Sequence, residues 1–469
     1  MSLPDRFSLL VLGQGTTGLD IVRWALAHGS DRVTGVTVYG GATSTPTDAT
    51  RALEAAGATF VYGTEDIEGS FDVCVTSPGI SEFSDFFASA RAHAAQVMGE
   101  PEFAYRLTPE RWIGITGTNG KTTTTALTNH LLHAAGMVSS AVGNIGDTAI
   151  SRVGERGADE WFVAELSSYQ LATTEELHPR VAILLNITPD HLSWHRSHEN
   201  YARAKCRLFQ NLGEQDLAVV DVEDEGVCEH LGLIEAPGRR VLSLSVTDPG
   251  TPDAAFVRDG VLTVRLGGEE TPLVSADELK IAGHHNVVNA LAAATAALFV
   301  GAAPEGVREG LRSFEPLEHR IEPCGSIDGV RFVNDSKATN TDAVVKALTA
   351  FPHDRVVLLV GGHDKGTPLE EFARAVVRST VASVVCFGEA RSRFLQAFLD
   401  ADDTHELEVA EAENLRDAVD VARNLAERGD VVLLSPACSS FDEFSGFEER
   451  GRAFKAYLDE IRAAASDER

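Results

Sequence analysis

The sequence predicts an α/β protein with three parallel-rich sheets, and three observations support this. The chain has 469 residues, and at about 150 residues per domain this length suggests three domains. Short apolar runs alternate with helical patterns, which is typical of parallel sheets covered by helices. Glycine-rich segments follow two of the predicted strands, at residues 13–18 and 117–120. We expect domains at residues 1–107, 108–313 and 314–469.

The first predicted domain begins with the strand FSLLVL and the loop GQGTTG, and further strands lie at VTGVTVYG, ATFVYG and FDVCVTSPG. This loop between a strand and a helix matches the dinucleotide-binding pattern of Rossmann-like domains. NAD binding also needs an acid at the end of the second strand, where the chain has Val38-Tyr39-Gly40-Gly41 and no acid until Asp48. The pattern therefore favours the diphosphate of another nucleotide over NAD.

The second predicted domain begins at the strand RWIGIT and continues through WFVAEL, VAILLNIT and LAVVDV. The segment Thr116-Gly117-Thr118-Asn119-Gly120-Lys121-Thr122 joins the first of these strands to a helix. It is a variant phosphate-binding loop, because the strict pattern has glycine where this chain has Ile115. Backbone N–H groups of such a loop bind phosphates, Lys121 reaches the terminal phosphates and Thr122 binds Mg²⁺. We expect a P-loop ATPase-like sheet, with a small β extension at residues 240–275.

The third predicted domain follows the linker SFEPLEHR near residue 314. Strands at VRFVNDS, VVLLVGG, VASVVCFG and DVVLLSPA alternate with helices, which predicts a second Rossmann-like, doubly wound sheet.

Composition restricts the class of partner. The formal net charge is −30, which disfavours nucleic acid and anionic membranes as partners. No apolar run reaches the roughly 18 residues of a membrane helix, and the N-terminus lacks a signal-peptide pattern. The six scattered cysteines indicate free thiols in the cytoplasm. Lysine occurs only seven times, so a lysine within a motif carries more weight.

Polar clusters follow several predicted strands, where open α/β sheets bind ligands. Glu165 ends a strand and is a candidate Mg²⁺ ligand. His191 and His195 are four residues apart, but we expect His195 to be a surface histidine. Taken alone, Lys205 is typical of a helix surface. The other clusters are HNVVN at 285–289, HR at 319–320, NDSKATN at 334–340, GGHDK at 361–365 and SPACSSFD at 435–442.

Together these segments resemble the Mur ligase family over essentially the full chain. The segments ELSSYQL, YARAKCRLF, NDSKATN and SPACSSFDEF carry the resemblance to the members that add glutamate, and the diamino-acid pattern DNPR is absent. The resemblance implies ATP-dependent addition of D-glutamate to UDP-N-acetylmuramoyl-L-alanine through an acyl phosphate, in peptidoglycan precursor synthesis. Three domains also suggest a closing motion that excludes water from the acyl phosphate, and we expect a cytoplasmic monomer.

The resemblance implies a role for each matching position. The expected catalytic residues are Lys121, His191, Lys205 and Lys337. One Mg²⁺ is held by Thr122 and Glu165, and a second by His191 and by Lys205 carbamylated with CO₂. The expected ATP contacts are Gly117, Thr118, Asn119, Gly120, Lys121, Thr122, Thr123, Asn286, Asn289, Arg320 and Asp335. The expected substrate contacts are Thr16, Thr17, Ser77, Gly79, Asn144, Ser167, Gln170, Thr339, Lys365, Ser440 and Phe447.

Two departures from the family pattern limit the assignment of the uridine contact and of Lys365. Tyr39-Gly40 lacks the polar residues that often contact uridine, and His363-Asp364 replaces a glycine-rich segment before Lys365. Three alternatives stay open: a related ligase that uses L-glutamate or another amino acid, a nucleotide-binding regulatory relative without activity, and a P-loop kinase. A kinase does not explain the third domain, and a pure binder does not need Lys205.

Overall fold

The computed structural model describes residues 2–29, 31–364, 366–403 and 406–467. Its strands form three sheets of five, nine and six strands, so the predicted α/β class with parallel-rich sheets is confirmed. One sheet falls in each of the three predicted ranges, while the domain boundaries themselves stay a prediction. The chain forms two compact units, Met1–Glu278 with Val288–Arg312, and Leu279–Val287 with Ser313–Arg469.

The first sheet has the order β3-β2-β1-β4-β5 and is parallel throughout. Gly13 has a φ of +90°, and a Cβ at Gly18 would collide with the Gly13 carbonyl, so glycine lets the helix start close to β1. The elements are β1 (Phe7–Leu12), α1 (Thr16–Ala27), β2 (Val33–Tyr39), α2 (Asp48–Ala55), β3 (Thr59–Val61), β4 (Phe71–Thr76), α3 (Asp85–His93), β5 (Ala94–Gly99) and α4 (Glu100–Leu107).

The second sheet has the order β14-β13-β12-β11-β10-β9-β6-β8-β7. It is parallel except at β12-β13-β14, which form the predicted β extension. Its first elements are β6 (Trp112–Thr116), α5 (Lys121–Ala134), β7 (Ser139–Gly143), α6 (Ala149–Val153), β8 (Trp161–Glu165), α7 (Ser168–Leu171), β9 (Val181–Leu184), α8 (Leu192–His195) and α9 (His198–Cys206).

The remaining elements between residues 217 and 313 complete the second sheet and add two helices after it. The helix α12 lies across the boundary between the two compact units. These elements are β10 (Leu217–Asp221), α10 (Glu225–Glu229), α11 (Leu231–Ile234), β11 (Arg240–Leu244), β12 (Ala254–Arg258), β13 (Val261–Leu266), β14 (Glu269–Ser275), α12 (His284–Phe299) and α13 (Pro304–Ser313).

The third sheet has the order β15-β16-β20-β17-β18-β19, with only β15 antiparallel to its neighbour. The strands β17 and β20 are buried along their whole length, as expected for central strands covered on both faces. The elements are β15 (Glu322–Ile327), β16 (Val330–Asn334), α14 (Thr341–Leu348), β17 (Val356–Gly361), α15 (Glu370–Val377), β18 (Val381–Phe387), α16 (Arg391–Ala401), β19 (Glu408–Glu411), α17 (Leu415–Leu425), β20 (Val431–Ala437) and α18 (Phe447–Asp467).

One apolar core joins the first two sheets. It contains Phe7 of β1 and Trp24 of α1 together with Trp112 and Phe162 of the second sheet. Phe103 of α4 packs edge-on against Phe7 and Trp24, with ring centroids 6.1 and 5.3 Å apart. This shared burial explains why the two sheets belong to one compact unit. Among the described residues, no helix is both long and apolar enough to span a membrane.

Candidate active site

The phosphate-binding loop lies between β6 and α5, as predicted. Gly117 and Gly120 have φ values of +158° and +84°, which favour glycine. A Cβ at Gly120 would lie 2.6 Å from Asn289 Oδ1, so any larger side chain there would displace Asn289. Asn289 Oδ1 also accepts a hydrogen bond from Thr124 Oγ1 at 3.1 Å, which places this predicted ATP contact against the loop.

Neighbouring polar groups hold the loop in shape. The Asn119 N–H donates to Asn186 Oδ1 at 2.7 Å, and the Thr118 hydroxyl lies 2.9 Å from the hydroxyl of Tyr201. Lys121 Nζ donates to the carbonyls of Gly117 and Thr118 at 2.9 and 2.8 Å. Thr122 and Thr123 follow in the first turn of α5, where N–H groups and the helix dipole favour an anion.

Lys205 of α9 is buried, with 1% of its surface exposed, and its Nζ donates to the Gly117 carbonyl at 2.7 Å. Lys121 donates to the same carbonyl oxygen, so two lysine side chains converge on one acceptor. Burial, with a further contribution from Lys121, holds the pKa of Lys205 well below its usual range. The helix-surface interpretation of Lys205 is therefore wrong. A neutral amine is the form of lysine that reacts with CO₂.

Glu165 lies at the end of β8, and 2% of its surface is exposed. Its Oε1 accepts a hydrogen bond from Asn144 Nδ2 at 2.8 Å, while its buried Oε2 has no hydrogen-bond partner among the described residues. A buried carboxylate oxygen without a partner is costly, and a hard cation would satisfy it. Asn144 and Glu165 therefore form one polar group, and Glu165 fits the predicted metal role.

The two histidines of residues 188–195 have opposite environments. His191 has a φ of +53° and a partly exposed ring that lies 4.8 Å from the ring of Tyr169. His195 was expected at the surface, and this expectation is wrong because its side chain is fully buried. Its Nε2 lies 2.9 Å from Ser168 Oγ, and burial lowers its pKa to about 4. Rings of Tyr169, Trp194 and Tyr201 enclose it, and sequence periodicity does not show such an enclosure.

The predicted substrate contacts of the first unit lie at two places. Ser167 and Gln170 form the capping box of α7 just after β8, and Ser77 meets Gln170 across a narrow crevice. Within the part of the chain that the structure describes, the buried Ser77 Oγ has no hydrogen-bond partner, as expected of a group that awaits a ligand. Thr16 and Thr17 begin α1, and Gly79 is exposed in the loop after β4.

The second unit brings Lys337 and Phe447 together. Lys337 Nζ lies 3.8 Å from the centre of the Phe447 ring, within cation–π range. Asp335 is buried, accepts a hydrogen bond from Ser435 Oγ at 2.8 Å and has its pKa raised by burial to about 7. Ser440 is buried near the end of β20.

Arg450 is a residue of this unit that the sequence interpretation missed. Its guanidinium is fully buried and donates to Ser336, Cys438 and Ser439, with a distance of 2.8 Å from Nη2 to the Ser336 carbonyl. Ser336 Oγ in turn donates to the Phe447 carbonyl at 2.9 Å. Arg450 therefore ties together the two strand ends that carry Lys337 and Ser440. Its position three residues after Phe447 on one helix face was the available signal.

The other predicted ligand contacts of the second unit lie in separate segments of the chain. Asn286 begins α12 and donates from Nδ2 to the Ala282 carbonyl at 2.7 Å. Arg320 precedes β15, and Thr339 lies between β16 and α14; both are partly buried. Lys365 lies outside the described residues.

Comparisons with known proteins identify the family. The model of the Mur ligase middle domain matches residues 115–297, and the model described as Mur ligase, glutamate ligase domain matches residues 319–438. The chain belongs to the Mur ligase family, and the predicted resemblance is confirmed.

Two relatives illustrate how far the similarity extends, and both are named UDP-N-acetylmuramoylalanine–D-glutamate ligase. The protein of Alkaliphilus metalliredigens is 34% identical, with 98% of this chain and 100% of the relative covered. That of Pelotomaculum thermopropionicum is 37% identical, with 96% and 97% covered. Among solved structures, the MurF ligase of Thermotoga maritima, in complex with ADP, has a TM-score of 0.60 at 15% identity, with 98% and 97% covered, and shares the fold.

Proposed function

We propose that this chain is the ATP-dependent ligase that joins D-glutamate to UDP-N-acetylmuramoyl-L-alanine in peptidoglycan precursor synthesis. The observation that carries the proposal is the phosphate loop with Lys205 buried against it, since Lys205 Nζ lies 2.7 Å from the Gly117 carbonyl. A simple phosphate-binding module has no need of a second lysine buried against its loop. The relatives named for this reaction cover nearly the whole chain.

ATP is assigned to the loop at residues 117–123 and to the adenosine positions Asn286, Asn289, Arg320 and Asp335. The loop supplies backbone N–H groups, and Lys121 supplies a positive charge at the terminal phosphates. Lys121 now donates to two loop carbonyls, so it exchanges them for phosphate oxygens when ATP arrives.

We infer two Mg²⁺ ions from the resemblance to the Mur ligase family. Thr122 and Glu165 would hold the first, which agrees with the buried Glu165 Oε2 that lacks a partner among the described residues. His191 and carbamylated Lys205 would hold the second. Carbamylation replaces an amine with an anionic oxygen donor and removes the conflict between Lys205 and Lys121, which now share one acceptor. When bound, the ions neutralise charge on the phosphates.

The glutamate site is assigned to the second unit. Lys337 and Lys365 would pair with the carboxylates of the amino acid, with Thr339, Ser440 and Phe447 around them. Phe447 keeps the Lys337 ammonium in place through its ring face, and Arg450 fixes the backbone beneath. A charge-assisted hydrogen bond from lysine to carboxylate is stronger than a neutral one.

The muramoyl-alanine carboxylate is a poor acyl donor until it is phosphorylated. In the proposed reaction its oxygen displaces ADP at the γ-phosphorus and gives an acyl phosphate. The glutamate amine, as the free base, then attacks the carbonyl carbon, phosphate leaves and one proton is released. Lys121 and the loop N–H groups would hold the phosphoryl charge throughout, once Lys121 has exchanged the loop carbonyls for phosphate oxygens.

We also infer that the enzyme is a cytoplasmic monomer of three domains. All six cysteines are free thiols, which suits a reducing compartment. The large apolar side chains exposed within the described ranges occur singly along the chain, at Val138, Leu192, Leu233, Leu399 and Phe441.

The deciding experiment measures phosphate release from ATP with UDP-N-acetylmuramoyl-L-alanine and one of three amino acids. We expect release with D-glutamate and not with L-glutamate or diaminopimelate. Release with another amino acid would keep the ligase and change the substrate. Release without any amino acid would indicate hydrolysis of ATP or of the acyl phosphate without ligation, and no release with any of them would favour a kinase or a regulatory relative.

A further inference from the structure

Helix α4 carries two buried glutamates that bind backbone N–H groups of the second sheet's segment. Glu102 accepts hydrogen bonds from the N–H groups of residues 175–177, at 2.8–3.2 Å, and pairs with Arg106. Glu100, two residues earlier on the same helix, accepts from the Ile150 N–H at 2.6 Å. The two carboxylates thus hold two different segments of one compact unit.

The segment that Glu100 holds leads directly to the candidate active site. Ile150 lies in the first turn of α6, and the loop before that helix carries Asn144. The Asn144 N–H donates to the Glu165 carbonyl at 2.9 Å, and its Nδ2 donates to Glu165 Oε1 at 2.8 Å. Asp20 of α1 holds the same loop, since it accepts from Thr148 Oγ1 at 2.9 Å. The segment 144–150 is therefore held at one end by Glu165, and at the other end by Asp20 of α1 and Glu100 of α4.

Glu100 is incompletely satisfied in this position. Its side chain is 1% exposed, and its buried Oε2 has no hydrogen-bond partner in the described ranges. Glu100 also lines the crevice that contains Ser77 and Gln170, two predicted substrate contacts. A buried carboxyl group with one free oxygen changes its strength as an acceptor when it gains or loses a proton.

We propose that Glu100 is a positioning residue for the UDP-muramoyl substrate, and that its ionisation controls how firmly the Asn144 segment is held. The inference rests on the proposed function for the identity of the substrate. Ionised Glu100 binds the N–H groups at the start of α6 strongly. Protonated Glu100 binds them weakly and releases Asn144.

The charges around Glu100 determine the pH at which its carboxylate takes up a proton. Burial raises the pKa of Glu100 to about 7, and Asp20 adds to the shift. Arg23 pairs with Asp20 at 2.6 Å, and Glu102 pairs with Arg106 on the same helix. Tyr169 lines the same crevice, and Arg152 lies on α6. A carboxyl with a pKa near 7 is protonated below that pH, so the segment is held above pH 7 and loosened below it.

The test compares the wild-type enzyme with Glu100→Gln and, as a matched control, Glu102→Gln. We expect the wild-type KM for the UDP substrate to fall by about 10-fold as pH rises from 6 to 8, with a smaller change in kcat. Glu100→Gln should remove this fall in KM with pH, which we call the pH step, while Glu102→Gln should keep it. A pH step that survives Glu100→Gln, or that both variants lose equally, would overturn the proposal.

A second measurement does not depend on catalysis. Hydrogen exchange of residues 144–153, corrected for intrinsic pH effects, should slow in the wild type as pH rises through 7, and should show no such change in Glu100→Gln. Residues 175–177 serve as the internal control, because Glu102 binds them. If the protein shows the exchange effect but no ligase activity, the proposed function fails and the role of Glu100 in holding the segment stands. An unchanged exchange rate would refute that role.

Discussion

Lys205 shows how burial prepares a single side chain for chemistry. It shares the Gly117 carbonyl with Lys121, and burial lowers its pKa, which favours the neutral amine. A charged ammonium in this place would face both desolvation and repulsion. The proposed carbamate removes the repulsion, since it is an anion beside the Lys121 cation.

Replacing Lys205 tests this assignment. We expect Lys205→Ala to lose at least about 100-fold in kcat, and to regain part of the activity when formate or acetate is added, because a small carboxylate supplies the missing oxygen donors. Lys280→Ala is the control, since Lys280 is an exposed lysine outside the site. Activity near the wild-type value would remove the carbamate from the mechanism.

Lys337 gives a second prediction at the scale of one residue. Losing a charge-assisted hydrogen bond costs about 1.5–3 kcal/mol. Lys337→Ala should therefore lower kcat/KM for glutamate by about 10- to 100-fold, with little effect on the KM for ATP. Lys346→Ala, which removes a lysine paired with Asp342 on α14, should leave both constants unchanged. Equal losses for the two variants would indicate damage to the fold of the unit.

At the scale of the element, the phosphate loop and α5 depend on two different constraints at Gly120. The residue needs a positive φ, and it needs space against Asn289 and Leu185. Gly136, just after the same helix, has a φ of +77°, but a Cβ added there would meet no atom of the described residues within 4 Å. Alanine substitutions at Gly120 and Gly136 therefore separate the effect of backbone strain, which both share, from the effect of steric crowding, which only Gly120 has.

We expect Gly120→Ala to weaken ATP binding by at least about 10-fold, measured by calorimetry, because the new methyl group pushes Asn289 and the loop apart. Gly136→Ala should cost about 1–2 kcal/mol of folding stability through strain alone and keep ATP affinity. Equal ATP affinity in both variants would mean that the loop tolerates the displacement.

Most elements were predictable because apolar runs and glycine-rich turns are local signals. Most strands of the three sheets, the β extension at 240–275 and the phosphate loop follow from such runs, whereas β5, β7, β15 and β19 were not predicted. Burial of polar side chains was not predictable in this way. His195, Glu100 and Arg450 are buried because distant segments supply ring faces, N–H groups or carbonyls to them. The site roles assigned to individual residues stay predictions.

At the scale of the whole molecule, stability depends on pH through buried acids. Asp335 has a pKa of about 7 in the folded chain, above its usual value. The folded state therefore keeps a proton that the unfolded state has lost between about pH 4 and 7, so this residue makes stability fall as pH rises through that window.

Asp335→Asn should remove this dependence. Relative to the wild type, the unfolding free energy of the variant should rise by up to about 4 kcal/mol between about pH 4 and 7, because one pKa unit corresponds to roughly 1.36 kcal/mol. The difference should level off above about pH 8. Urea unfolding of both proteins across this pH range measures the difference. Parallel wild-type and variant curves would show that Asp335 is ionised throughout.

The outer edge of the nine-stranded sheet has a consequence for self-association. The edge strand β14 contains Pro272, which has no N–H, and Arg308 donates to the Pro272 carbonyl at 2.8 Å. In an antiparallel ladder the N–H and carbonyl of one residue point to the same side, so both groups are closed to an incoming strand at this point. Glu269 adds an exposed acidic side chain to the same strand, while Glu270 is paired with Arg258 and Arg265. This edge of the sheet therefore resists pairing with a strand of another chain.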